Sequence, residues 1–208
     1  MVNISDCKKV GILGGTFNPI HIGHLLMAEY AKKEAGLDVV LIMPTSKSYM
    51  KSNNNVPDGN IRLEMVQMCL EENDGLMASD FEIQRGGNTY TYETLLQLKK
   101  LYPNTDLYFI IGMDSLFSIE KWVKPEVIFA NCNILVADRN DVAEDMVQAK
   151  INELKERFGA QIFRINFPKI DISSTQIREN VRDGYSIRYM VHDNVWKYIY
   201  KNRLYEND

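Results

Sequence analysis

Residues 9–25 read Lys9-Val10-Gly11-Ile12-Leu13-Gly14-Gly15-Thr16-Phe17-Asn18-Pro19-Ile20-His21-Ile22-Gly23-His24-Leu25, and no other stretch constrains the fold as much. It opens as a short apolar strand, Lys9 to Leu13. Adjacent glycines and a proline follow, and from Leu25 to Ala35 the apolar and small positions Leu25, Leu26, Ala28, Tyr30 and Ala31 recur at helical spacing. A strand, a glycine turn and a helix N-terminus form an anion site. The first N–H groups of a helix have no partner within it, and the helix dipole adds positive potential. Gly14 and Gly15 lack a Cβ, so a phosphate can come close to the backbone. The spacing is neither the dinucleotide fingerprint G-x-G-x-x-G nor a Walker A loop, since no Gly-Lys-Ser/Thr follows. His21 and His24 are placed on one face of the first helical turn, with Gly23 removing bulk where a ligand would lie. Imidazoles aimed at a phosphate can donate to charge that develops in a transition state. The alternative for a histidine pair is zinc, but zinc takes three or four ligands and no further ligand cluster is visible.

Val39-Val40-Leu41-Ile42-Met43, bounded by Pro44, reads as a buried parallel strand. The polar stretch from Thr45 to Gly59 reads as a long loop at a strand end. Ile61, Leu63, Met65, Val66 and Leu70 mark a helix, and Met77 to Gln84 reads as one or two short strands before Arg85-Gly86-Gly87-Asn88. A helix over Tyr92 to Leu101, a strand over Leu107 to Ile111, short helices over Ser115 to Phe129 and a strand over Asn133 to Ala137 follow. A charged amphipathic helix from Val142 to Phe158 ends at Gly159, with its Lys/Glu mixture read as a solvated face. Ile162 to Ile165 is the last strand. A helix from Ser173/Ser174 to about Asp183 and a final one from about Asp193 to Tyr200 close the chain, with His192 read as structural.

Strands alternating with helices predict an α/β fold, a Rossmann-like, doubly wound and mainly parallel sheet with helices on both faces. Ligands of such sheets lie beyond the carboxyl ends of the strands, at the switch point. At 208 residues the chain is most simply one domain over 1–208, with helices 174–200 packing back on the nucleotide site. A net charge of −4 argues against a general nucleic-acid binder. Cys7, Cys69 and Cys132 are scattered, odd in number and without C-x-x-C spacing, which suits a reducing cytoplasm. Met1 to Lys9 has no apolar core of a signal peptide, and no apolar run is long enough to span a bilayer.

Ile172-Ser173-Ser174-Thr175-Gln176-Ile177-Arg178 is the second constellation: hydroxyls begin a helix and an arginine follows on the same face. Ser173 or Ser174 would cap the helix, the other hydroxyls and N–H groups would meet phosphate, and Arg178 would supply a charged fork. A plain cap with a solvated Arg is the other reading.

The first stretch resembles the G-G-T-F-D/N-P-x-H-x-G-H signature of the nucleotidylyltransferase superfamily, and the second resembles the I-S-S-T-x-I-R element of the same superfamily. Between them, Thr89-Tyr90-Thr91, then Phe109-Ile110-Ile111-Gly112-Met113-Asp114-Ser115-Leu116, then Trp122, resemble the S-Y-T, F-I-I-G-x-D-S-L and W elements of bacterial nicotinate mononucleotide adenylyltransferases. The resemblance covers nearly the whole chain. It implies catalytic roles for His21, His24 and Arg178. It implies an ATP site of Gly14, Gly15, Thr16, Phe17, His21, His24, Gly112, Asp114, Arg139, Ile172, Ser173, Ser174, Thr175 and Arg178. Asp114 would bind ribose hydroxyls, and Arg139 matches an arginine near the adenine end. Thr45, Lys51, Tyr90, Thr91 and Trp122 would take the acceptor, with Trp122 stacking on the pyridine ring. Two departures stand out. Asn18 replaces the commoner Asp, and Ser48-Tyr49-Met50-Lys51 stands where a Pro-Pro-His-Lys/Arg run is usual. Lys51, with Arg62 beyond it, then reads as a phosphate contact.

The implied reaction joins ATP to nicotinate mononucleotide, giving deamido-NAD and pyrophosphate. Mg²⁺ is expected to arrive with ATP, with no metal site of the protein's own. Expected partners are ATP and nicotinate mononucleotide, with no nucleic acid and no membrane; a homo-oligomer is left open. Nicotinamide mononucleotide or phosphopantetheine as acceptor, and a nucleotide-binding module without catalysis, are the rival readings.

Overall fold

The computed structural model describes residues 3–48, 56–138 and 142–206. In chain order the elements are β1 (Lys9–Gly15), α1 (Ile22–Ala35), β2 (Val39–Pro44), β3 (Lys47–Ser48), α2 (Gly59–Leu70), β4 (Leu76–Ala78), α3 (Phe81–Arg85), β5 (Asn88–Thr89), α4 (Thr91–Leu101), β6 (Asp106–Gly112), α5 (Met113–Leu116), α6 (Pro125–Asn131), β7 (Asn133–Asp138), α7 (Glu144–Phe158), β8 (Ile162–Asn166), α8 (Ser174–Arg182) and α9 (Asp193–Lys201). A one-turn 3₁₀ helix, Ile119–Lys121, lies between α5 and α6.

Six strands form one parallel sheet in the order β4-β2-β1-β6-β7-β8. The chain steps outward from β1 through β2 to β4, then returns to the other side of β1 with β6, β7 and β8. The switch point therefore falls between β1 and β6, where Ile12 is opposite Phe109. The continuous apolar strands are explained by burial on both faces. In β2, Val39, Leu41 and Met43 face one core while Val40 and Ile42 face the other. The first core takes α4, α6 and α7; the second takes α1, α2, α8 and α9. The helices thus cover both faces, as the alternation of elements predicts. Helices α1 and α7 both stop at a glycine held at positive φ, Gly36 at 62° and Gly159 at 66°, which gives each helix an αL cap.

Two regions differ from the sequence-based expectation. Met77 to Gln84 holds only the end of β4, and Phe81–Arg85 is helical. Phe81-Glu82-Ile83 alternates like a strand. However, the Ser79 hydroxyl accepts from the Phe81 N–H at 3.4 Å, and the Gly86 N–H closes the turn on the carbonyls of Glu82 and Ile83. The loop after β2 contains β3, which pairs in parallel with β5 as a two-stranded sheet of its own. With two residues per strand it carries no periodicity to read.

Candidate active site

The end of β1 is clamped to its surroundings through backbone atoms. The Thr45 N–H donates to the Gly15 carbonyl at 2.9 Å, which joins the loops after β1 and β2. Phe17 adopts φ 48° and turns its ring, only 3% exposed, beneath Gly15. A Cβ at Gly15 would lie 3.1 Å from that ring, so the glycine here accommodates the protein's own phenyl group. Gly23 plays the same part for His21: an added Cβ would lie 3.1 Å from the imidazole.

His21 is the N-cap of α1 and is 6% exposed; His24 stands in the third helical position. Their rings stack at 3.6 Å between centroids, tilted by 26°. The His21 N–H donates to His24 Nδ1 at 3.3 Å. When neutral, His24 then carries its proton on Nε2 as a donor. The Phe17 ring meets His24 edge-on at 5.0 Å, holding it from the other side. Not every N–H expected at this helix start is available to an anion. Ile22 donates to the Met190 carbonyl at 3.0 Å, and His21 is committed to His24.

The second constellation closes onto the first. Ser173 caps α8 by accepting from the Gln176 N–H at 3.1 Å, while Ser174 donates its hydroxyl to the Pro19 carbonyl at 2.9 Å. Arg178 Nη1 donates to the Asn18 carbonyl at 2.9 Å, and Nη2 reaches Thr175 Oγ1 at 3.4 Å. The two motifs, at opposite ends of the chain, are therefore one structure. Ile172 is half-buried against the core beneath them.

On the other side of the switch point, Gly112 caps α5 and Asp114 is exposed in that helix's first turn. Trp122 follows the 3₁₀ turn and sets its ring edge-on to Phe109, 6.2 Å between centroids. Phe109 also lies 3.5 Å from where a Cβ of Gly14 would be, so one phenyl ring links the tryptophan to the glycine turn. Tyr90 caps α4 and Thr91 begins it. The small β3–β5 sheet, together with a 3.2 Å bond from the Ser46 N–H to Thr89 Oγ1, ties these residues to the loop that carries Thr45. Lys51 and Arg139 lie outside the described residues. Around the cleft, Asn18 Oδ1, Thr45 Oγ1 and Trp122 Nε1 are buried with no hydrogen-bond partner. Buried polar atoms are seldom left so, and a polar substrate would satisfy them.

Arg62 is not a phosphate contact. It is 2% exposed and donates to four backbone carbonyls: Pro57 at 3.0 Å, Thr16 at 2.6 Å, Thr45 at 2.7 Å and Ser46 at 3.1 Å. It is a staple that holds the loops after β1 and β2 together. The signal was present in the sequence: Arg62 shares the stripe of Met65, Val66 and Leu70, at i+3, i+4 and i+8. The solvated-face reading of α7 holds for Glu144, Glu153, Lys155, Glu156 and Arg157, which are exposed, and fails only at Lys150. Lys150 is 9% exposed and lies on the inward stripe of Val147, Ile151 and Leu154. Glu144 pairs with Arg164, which also binds the buried carboxylate of Asp138. His192 caps α9 through Nδ1, accepting from the Asn194 N–H at 3.3 Å, and so is structural as expected.

Among the described residues, no three of His, Cys, Asp and Glu gather as a metal site, and no helix is long and apolar enough to cross a membrane. Burial pushes the thiols of Cys69 and Cys132 up to about 12, so neither is a thiolate nucleophile at neutral pH.

The cytidylyltransferase-like family profile matches residues 12–180. A probable nicotinate-nucleotide adenylyltransferase of Lachnoclostridium phytofermentans is 41% identical over 198 residues, covering 95% of this chain and 99% of its own. One from Clostridium tetani is 35% identical over the same shares. Among solved structures, Plasmodium falciparum nicotinic acid mononucleotide adenylyltransferase complexed with NaAD superposes with a TM-score of 0.79 at 22% identity, covering 97% of this chain and 98% of its own.

Proposed function

The chain belongs to the cytidylyltransferase-like family and, within it, to the bacterial nicotinate mononucleotide adenylyltransferases, and we propose that it transfers AMP from ATP to nicotinate mononucleotide. A phosphate oxygen of the acceptor attacks the α-phosphorus of ATP in line. The bond from that phosphorus to the bridging oxygen breaks, and pyrophosphate leaves with deamido-NAD as the second product. No protein nucleophile is required, because the acceptor phosphate is already an anion. What the chain must supply is alignment and stabilisation of charge.

The observation that carries this reading is the junction of the two motifs: the stacked His21–His24 pair and the Arg178 guanidinium flank a single loop, Asn18–Pro19, at the switch point. In our reading, the Nε2–H of His24 and the guanidinium of Arg178 face the α-phosphate and the departing pyrophosphate. Asp114 takes the ribose, and Trp122, Tyr90 and Thr91 form the pyridine pocket, with Arg139 and Lys51 at the adenine and phosphate ends. A divalent cation, Mg²⁺, would be carried in on the phosphate oxygens of ATP and on water, where it would neutralise phosphate charge. We take residues 1–208 as one catalytic unit, cytoplasmic, with the helices from 174 onward completing the nucleotide site.

The test is pyrophosphate release with Mg-ATP and, in parallel, nicotinate mononucleotide, nicotinamide mononucleotide or phosphopantetheine. Turnover with the first, well above the other two, is expected. Turnover confined to phosphopantetheine, or release with no acceptor dependence, would overturn the assignment.

A further inference from the structure

Trp122 ends a turn of only three residues, closed by two backbone bonds, from the Lys121 N–H to the Ser118 carbonyl at 2.9 Å and from the Trp122 N–H to the Ile119 carbonyl at 3.1 Å. Ile119 is fully buried in the core under α6 and α7. That burial fixes how deep the turn sits, but apolar contact is not directional, so it leaves the turn's rotation weakly determined. Ser118 ties the start of the turn to α5, donating its hydroxyl to the Asp114 carbonyl at 3.0 Å and its N–H to the Ser115 carbonyl at 3.1 Å, and the directional contact from the turn to α7 comes from Glu120, whose Oε1 lies 2.9 Å from Lys150 Nζ. Both side chains are largely shielded, at 10% exposure for Lys150 and 16% for Glu120. Lys150 also reaches Glu153 at 3.0 Å, but Glu153 is 51% exposed, so solvent weakens that second pair. A lysine on the inward stripe of an amphipathic helix is disfavoured unless it is paired, and the partner it meets belongs to the turn that presents Trp122.

We propose that Lys150 is a positioning residue for the acceptor nucleotide: through its ion pair with Glu120 it orients the turn that ends in Trp122, and so sets affinity for the pyridine ring without touching it. The inference rests on the reading of Trp122 as the pyridine platform. It assigns α7, which contributes no residue to the site, a role in selecting the acceptor over ATP. The ion pair holds the turn's rotation and the edge-on contact with Phe109 holds the ring, so loss of the pair tilts the ring relative to the cleft. A small misplacement of a binding group can cost a large factor in reaction.

The experiment compares Lys150→Met, Lys150→Arg and Glu120→Gln with the parent enzyme, measuring KM for nicotinate mononucleotide and for ATP separately. Lys150→Met is expected to raise KM for nicotinate mononucleotide by about tenfold or more while KM for ATP and kcat stay at parental values. Lys150→Arg restores the parental KM. A folded Lys150→Met enzyme with unchanged KM for the acceptor, or with both KM values raised together, overturns the proposal. If Lys150→Met does not fold, Glu120→Gln is read instead. It keeps the side-chain shape and loses the charge, and a parental acceptor KM there is equally fatal. If the parent does not turn over nicotinate mononucleotide at all, the functional reading fails by itself. The positional claim is then read from Trp122 emission in a Trp196→Phe background, where Trp122 is the sole tryptophan. Lys150→Met should shift that emission, and an unchanged spectrum overturns the claim.

Discussion

Replacing Arg62 by methionine keeps an unbranched stem in the core and removes four hydrogen bonds to backbone carbonyls. A hydrogen bond from a charged donor contributes roughly 1.5–3 kcal/mol net, so four set an upper bound of about 6–12 kcal/mol. The true loss is smaller. Thr16, Thr45 and Ser46 are only half-buried, so water can reach their carbonyls once the side chain is gone. The buried cation itself also carried a desolvation cost, and burial holds the Arg62 pKa below its ordinary value. Recovering about half leaves an expected loss of about 3–6 kcal/mol, or on the order of 10 °C in Tm for a chain of this size. Urea unfolding measures the first quantity and calorimetry the second. The loops after β1 and β2 lose their common anchor, so kcat/KM should fall as well in the fraction that stays folded. Arg62→Lys, which keeps the charge but not the fork, should lie between the two. The staple account is refuted if Arg62→Met unfolds within about 1 kcal/mol of the parent and loses only ATP affinity. That result would return Arg62 to the role of a phosphate contact.

Removing the His24 imidazole by His24→Ala should lower kcat by about 10²–10³, the usual cost of one preorganised donor, with a near-parental unfolding midpoint; a near-parental rate would remove it from catalysis. Burial pushes the Glu82 carboxyl up to about 7, against the help it receives from the Thr94 hydroxyl at 2.7 Å and the charge of Arg85. Its folded pKa is thus above its unfolded one, so the native state holds the proton longer. Stability from this group is full below about pH 4.5 and declines as pH rises toward about 7, by on the order of 3 kcal/mol. Glu82→Gln, compared with the parent by urea unfolding at pH 5 and pH 8, should flatten that decline. An identical pH profile in both proteins would show that Glu82 does not titrate there.

The outline of the fold was open to reading along the chain because hydrophobic periodicity is local. Val39 to Met43 carries its own evidence of burial on both faces, and Tyr92 to Leu101 its own amphipathic stripe. The two strong motifs were legible for the same reason, since each is a contiguous run at one strand end or one helix start. What escaped were features with no local signature. The β3–β5 pair spans too few residues for a pattern, and the helix at Phe81–Arg85 alternates like a strand over its first residues. The rings packed beside Gly15 and Gly23, those of Phe17 and His21, likewise take up positions that identity alone does not reveal.

Charge is where the two kinds of information part most clearly. The sequence by itself determined the alternation of the main strands and helices and the residue types of the two motifs at the candidate site, which follow from periodicity and contiguous runs, while the place of the switch point came from the strand order of the sheet. Only the tertiary structure decided what each cation does. Arg62 and Arg178 are both arginines on helices that follow loops. Yet Arg62 is enclosed by carbonyls up to 46 positions away, while Arg178 reaches across 160 positions to the Asn18 carbonyl beside the histidine pair. Lys150 sits in a run of lysines and glutamates that looks fully solvated, and its environment is set by a turn 30 residues earlier. The physical reason is that the free energy of a charge depends on the dielectric and the partners around it. Those are supplied by segments remote in sequence, which come together only when the sheet is assembled.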